Sequence, residues 1–276
     1  MYIDFHNHID FYKDEEIDSV INCINLNKIM TIACSMDEES YLNNIEISKK
    51  SDYIVPIFGI HPWRVKNNIE LDKFEDYIKN TPLIGEIGLD FHWVEEKYTY
   101  PYQIKVFEYF LQCAKKYNKY INVHTKGCEE LILNLIKKYN VSPQTIIHWY
   151  SGDKDTLKKL IDAKCYFTGS VDLGYIKHSK DIIKEIPVNK LLAETDGPTA
   201  LQWVNGVYGM PDEIKNVYEN AGLFYQLAGD PMQALTMYEK AGSTERMLSI
   251  LIDNARKSPN SAYFYELKQY YLALPE

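Results

Sequence analysis

The chain has 276 residues, of which 46% are hydrophobic and 25% charged, so it is long enough for one large globular domain with a substantial core. Its net charge of −9 and pI near 5.4 exclude a surface that holds nucleic acid by neutralising many phosphates, which needs an excess of Lys and Arg. No apolar run approaches the roughly 18 residues needed to cross a bilayer, and a chemistry-bearing motif already begins at Asp4, so the reading is a cytoplasmic protein with no membrane partner and no signal peptide.

Short apolar, β-rich runs recur between longer stretches with helical spacing. In chain order they predict strands at Tyr2–Phe5, Ile29–Ser35, Ile54–Gly59, Leu83–Ile87, Tyr120–Val123, Thr145–His148, Tyr166–Gly169 and Leu191–Ala193. Strands alternating with helices imply a parallel sheet, because parallel neighbours need a long crossover. Eight such units close naturally into an α/β fold of the (β/α)8 TIM-barrel type; a doubly wound open sheet is the alternative. Closure is favoured because every polar motif falls at the C-terminal end of its strand, and in a closed barrel those ends converge on one pocket. Beyond about Tyr218 the composition turns from Lys, Ile, Asn and Asp to Ala, Gly, Ser, Met and Leu. The expected organisation is therefore a barrel over 1–219 and an atypical α-helical C-terminal segment, an extension or cap, over 220–276. Two or three short amphipathic helices fit that segment, and its helix–Gly-Asp–helix cadence suggests helical hairpins, though no second clean copy is visible. The five cysteines, Cys23, Cys34, Cys113, Cys128 and Cys165, are scattered with no C-x-x-C pair and read as buried, reduced thiols.

The first motif is Asp4-Phe-His6-Asn-His8, whose two imidazoles, two residues apart at a strand end, point to one side and have metal-chelate spacing. Alone, such a pair is as often a surface or capping feature. Glu86 interrupts an apolar strand in Gly85-Glu-Ile-Gly88-Leu-Asp90. A buried carboxylate needs a charged partner, and Lys126 is the one basic residue in the strand motifs that would face it, so a cation is the better partner. His124 and His148 each end a β-branched run, and Asp196 follows the last strand in Glu194-Thr-Asp196-Gly-Pro198. Imidazoles and carboxylates together suit a transition-type divalent ion. His6, His8, Glu86, His124, His148 and Asp196 are thus the candidate metal ligands, for one ion or two.

These motifs, with Gly59-Ile-His61-Pro62, stand in an order that resembles the TatD family of metal-dependent hydrolases, within the larger amidohydrolase-like barrels. The resemblance covers residues 2 to about 215, and the segment beyond is not typical of that family. It implies a deoxyribonuclease that cleaves phosphodiester bonds of single-stranded DNA or DNA ends with two divalent ions, Mg, Mn or Zn. His6, His8 and Asp196 would hold one ion and His124 and His148 the other, with Glu86 bridging; two such ions can clamp both oxygens of a displacement. The wider superfamily adds a second role for Asp196, as general base. His61 looks like the family's phosphate contact, or else anchors its loop.

Arg64 and Lys126 are further candidate phosphate contacts. Lys126 stands where many family members carry Arg, a point charge in place of a bidentate fork. Trp93 and Trp149 adjoin motif residues on loops that would rim the pocket, where an indole could stack on a nucleobase or simply pack. His92 is a rim candidate and His178 reads as surface. Amide, lactone or phosphotriester hydrolysis is the alternative chemistry, since the same centre serves all of these. A metal-loaded scaffold that engages a protein partner through 220–276 is the alternative of a different kind.

Overall fold

The computed structural model describes residues 1–67 and 69–257 and, beyond them, 262, 265, 266 and 269. Strands and helices alternate from the start: β1 (Tyr2–Asn7), α1 (Ile17–Asn27), β2 (Ile29–Ala33), α2 (Glu38–Ser48), β3 (Ile54–Pro56), α3 (Glu75–Asn80), β4 (Ile84–Asp90), α4 (Tyr100–Tyr117), β5 (Ile121–Lys126), α5 (Glu129–Lys138), β6 (Thr145–Ile147), α6 (Lys154–Asp162), β7 (Tyr166–Gly169), α7 (Lys177–Ile183), β8 (Leu191–Ala193) and α8 (Thr199–Asn205). Neighbouring strands pair in parallel, β1 to β3 in one run and β4 to β8 in another. Main-chain bonds join the runs at both seams. Gly85 N–H donates to the Phe58 carbonyl, Asp196 N–H to that of His6 and His8 N–H to that of Gly197, each at 2.9 Å. The result is the (β/α)8 TIM barrel.

Local chemistry accounts for the pieces. β4 is buried at every residue, as a parallel strand covered on both faces must be. α5 buries Ile132, Leu133, Leu135 and Ile136 and carries Lys137 and Lys138 in its last turn, where they suit the negative helix end. The side chain of Asp37 caps α2 by accepting from Ser40 N–H at 3.0 Å, and Asp153 caps α6 by accepting from Thr156 N–H at 2.8 Å.

β7 and β8 lie where the pattern predicts, but β1, β4 and β5 run past their expected ends at Phe5, Ile87 and Val123 to Asn7, Asp90 and Lys126. β2, β3 and β6 stop short of their expected ends. The physical reason is that polar residues at the mouth keep pairing when their side chains satisfy one another, whereas periodicity reads polarity as the end of a strand. Register shifts fall between Asp4 and Asn7 of β1 and between Ile84 and Ile87 of β4. They bracket His6 and Glu86, and a bulge is a device that re-aims a side chain. Gly88 sits at φ +148 opposite His124, where a Cβ would collide with the His124 carbonyl.

The chain divides into two compact units, Met1–Val217 and Tyr218–Glu276. The helices α9 (Ile214–Leu227), α10 (Pro231–Ala241) and α11 (Thr244–Lys257) follow the barrel. Of the extension expected over 220–276, residues 258–261, 263, 264, 267, 268 and 270–276 lie outside the described residues. Inside the second unit, Asp230 caps α10 by accepting from Gln233 N–H at 3.1 Å. A Cβ at Gly222 would come within 2.7 Å of the Tyr238 ring, so glycine permits that close approach, and the Tyr238 hydroxyl donates to Gln226 Oε1 at 3.0 Å. Among the described residues no helix is long and apolar enough to cross a membrane. All five cysteines are free; four are buried, while Cys23 is only half-buried, its thiol set against Asp212 at 3.5 Å.

Candidate metal centre

Glu86 lies at the middle of the barrel mouth. Its Oε2 is 3.3 Å from the Nε2 atoms of both His6 and His8. Its Oε1 is 3.0 Å from His124 Nδ1, 3.3 Å from His148 Nε2 and 3.5 Å from His61 Nε2. Asp196 Oδ1 is 3.7 Å from Nε2 of His6 and of His8. All seven of these residues are buried. Asp196 is held at φ +46, a left-handed conformation that costs a non-glycine residue about 1–3 kcal/mol and persists only where surroundings impose it.

His6, His8 and Asp196 form one group whose donor atoms lie within 4.8 Å of one another, and His61, Glu86 and His124 form another. His6, His148 and Glu194 make a third, overlapping group. The structure thus brings all six expected ligands together and adds His61, expected only as a phosphate contact or loop anchor, among the donors. His61 also anchors its loop, because its Nδ1 accepts from Trp63 N–H at 3.2 Å.

Burial opposes charge on Glu86, but the imidazoles of His61, His6 and His148 hold its carboxyl well below the usual range. At His148 burial and the neighbouring His6 push down, yet the carboxylates of Glu194 and Glu86 outweigh them and raise the ring to about 9. Burial takes His61 the other way, to about 4. Asp196 is raised by burial, against the pull of His6, His148 and His8. A buried carboxylate ringed by five imidazoles, with its ion pairs made to histidine alone among the described residues, is a donor set that fits divalent cations.

A further layer fixes the donors. His124 Nε2 is 3.0 Å from Asp90 Oδ2, which also accepts from the Trp63 indole at 2.7 Å. Asp90 Oδ1 accepts from the N–H groups of His92 and Trp93 at 2.9 and 2.7 Å. His148 Nδ1 is 3.1 Å from Glu194 Oε1, and His6 Nδ1 is 3.0 Å from Asn122 Oδ1. Asp4, raised to about 7 by burial against the hydrogen bonds of Thr195, accepts from Thr195 N–H at 2.9 Å and so ties β1 to the end of β8. Asp90 and Glu194 stand inside the sequence motifs and Asn122 stands two residues before His124, yet the motifs alone assign none of the three a role. The available signal was that an imidazole ligand needs a carboxylate or amide on its other nitrogen.

The centre opens into a cavity of about 1030 Å³, lined in part by His61, Lys126, Trp149 and Trp93. Among the described residues Lys126 is the only Lys or Arg in that lining. Its ammonium, lowered by burial, donates to the Trp149 carbonyl at 2.9 Å and to Ser151 Oγ at 2.8 Å. Arg64 is not brought to the cavity: it is half-exposed and lies 3.5 Å from Asp37. A charged guanidinium gains more from water and a nearby carboxylate than from a mostly apolar mouth. His178 is exposed, with Nε2 at 3.0 Å from the Gly152 carbonyl.

The model of the family described as TatD related DNase matches residues 3–238. That is further than the expected limit near 215, and it takes in α9 and most of α10. The chain is 29% identical over 224 residues to an uncharacterized metal-dependent hydrolase of Methanocaldococcus jannaschii, covering 78% of this chain and 84% of that protein. It is 26% identical over 246 residues to the uncharacterized metal-dependent hydrolase YabD of Bacillus subtilis, covering 86% and 96%. Among solved structures, YJJV, a TatD homolog from Escherichia coli K12, superposes with a TM-score of 0.75 at 17% identity, over 87% of this chain and 97% of that one. A TatD family hydrolase from Entamoeba histolytica gives 0.72 at 17% identity, over 89% and 97%. A barrel of this fold, motifs in this order and donors converging at its mouth agree with the family match: the chain belongs to the TatD-related DNase family and is a metal-dependent hydrolase.

Proposed function

We propose that the protein hydrolyses phosphodiester bonds in single-stranded DNA or at DNA ends with the help of two divalent cations, Mg, Mn or Zn. The observation that carries this reading is the Glu86 carboxylate among five imidazoles on a chain of net charge −9. Such a chain attracts phosphate only where cations gather, and this donor set is where they would gather. His6, His8 and Asp196 would hold one ion, His124 and His148 the other, and Glu86 reaches both groups. Bound there, the cations would polarise the phosphate oxygens and ease ionisation of water. Asp196, kept above its ordinary range by burial, is the general base, its Oδ1 taking the proton of the attacking water. His61 faces the phosphate, and Lys126 offers it a point charge rather than a fork. A cavity of about 1030 Å³ at the centre suits a few nucleotides at a terminus better than a long duplex.

The test is cleavage of 3′- and 5′-labelled single-stranded DNA with Mg or Mn, beside a panel of cyclic amides and lactones. Cleavage of the amides or lactones alone would overturn the reading in favour of that chemistry. Asp196→Asn is expected to cost about 10²–10⁴-fold in turnover; turnover that survives with metal content intact would remove Asp196 from the role of base.

A further inference from the structure

Trp149 follows the donor His148 and is fixed on several sides. Its main-chain N–H donates to Thr168 Oγ1 at 3.0 Å, its carbonyl accepts from Lys126 Nζ at 2.9 Å, and its indole N–H donates to the buried Asp172 carboxylate at 2.7 Å. The Ser179 hydroxyl holds Asp172 in turn. The backbone of Trp149 lies at φ +40, in the left-handed region that a non-glycine residue keeps only when its surroundings over-determine it. This ring is placed, not left over.

Trp203, from α8, stacks beside it. The two indole planes are within 17° and their centroids 6.3 Å apart, within the range of offset aromatic pairs. Both line the cavity, and Trp203 is 63% exposed, so a large apolar face is held in water at the mouth of the metal centre, where a ligand would cover it. The Trp149 ring is 6.4 Å from that of His148 and 5.3 Å from Lys126 Nζ. A phosphate drawn to the donor cluster and Lys126 therefore brings its neighbouring planar group over the indole pair.

We propose that Trp149 and Trp203 form one stacking platform for the nucleobase that adjoins the scissile phosphate. Trp149 is the fixed half, and Trp203 extends the face and sets how tightly the base is held. The position of the phosphate rests on the phosphodiesterase reading, while the base contact rests on the indole pair. Stacking engages the face of a base rather than its edge, so the platform accepts all four bases.

The experiment is calorimetric titration of the full-length, metal-loaded protein with dAMP and with 2-deoxyribose 5-phosphate, which lacks the base. The wild type is expected to bind dAMP about 5- to 150-fold more tightly than the sugar phosphate, the usual worth of one base–aromatic stack. W203A should lose at least about fivefold of the affinity for dAMP and none of that for the sugar phosphate, and W203F should restore most of the loss. No preference for dAMP in the wild type, or an equal loss of both ligands in W203A, overturns the platform. Cleavage of labelled single-stranded DNA by the same proteins separates the two readings. A wild type that prefers dAMP but cleaves no DNA overturns the phosphodiesterase reading and leaves the platform standing. A wild type whose KM for DNA is unchanged in W203A overturns the platform and leaves the phosphodiesterase reading standing; a raised KM with kcat unchanged supports both.

Discussion

Glu86 is the residue on which the centre turns, because among the described residues it alone faces His6, His8, His61, His124 and His148. Glu86→Gln keeps the volume and removes the charge that those rings surround. Metal content measured on the purified variant should fall together with turnover, and a variant that keeps its full complement of metal would show that Glu86 is no ligand. Asp90 acts one step away, since it touches His124 at 3.0 Å and is itself held by an indole and two main-chain N–H groups. With that many donors the carboxylate stays charged and the imidazole stays oriented. Asp90→Asn is expected to weaken metal affinity or activity by about 10–100-fold, read by titration of metal into the metal-free protein. Equal affinity in variant and wild type would reduce Asp90 to an anchor for the Trp63 and Trp93 loops.

Elements place these residues through two features, the bulged strands and the helix caps. Gly88 lets β4 pass His124 with no side chain between them, so Gly88→Ala both strains φ +148 and strikes a carbonyl. A loss of about 3 kcal/mol is expected in denaturant unfolding, and a loss under about 1 kcal/mol would mean that the strand relaxes around the methyl group. Asp153 caps α6 through Thr156, whose N–H and hydroxyl hold the Asp153 carboxyl below its usual range. Asp153→Ala should cost about 1 kcal/mol at pH 7. The sign of the pH dependence follows from the depressed value. The charged cap contributes fully above the unfolded value of 3.8 and is lost as pH falls through the folded one. The gap between variant and wild type should therefore close in acid, and a gap that stays constant down to about pH 2 would argue against a charged cap.

For the whole molecule, metal is expected to be part of the stability as well as the chemistry, because the donors come from β1, β4, β5 and the loops after β1, β3, β6 and β8. Chelation should abolish turnover and lower the melting temperature, with Mg or Mn restoring both. At a free metal concentration of about 100 times Kd the linkage is worth about 2.7 kcal/mol, and a melting temperature indifferent to chelator would show that the folded and unfolded chains bind metal equally. The sequence by itself determined the alternation that makes a barrel, the placing of polar motifs at strand ends, and the six candidate ligands that the mouth gathers, because a parallel strand buried on both faces cannot carry His or Glu without a partner. Only the tertiary structure decided that His61 stands among the donors, that Arg64 turns away to Asp37, that Asp90, Asn122 and Glu194 brace the imidazoles, and that Trp203 meets Trp149. Those relations join residues far apart in the chain through bulges, left-handed residues and barrel closure, and periodicity carries no information about which side chains a closed ring of strands brings face to face.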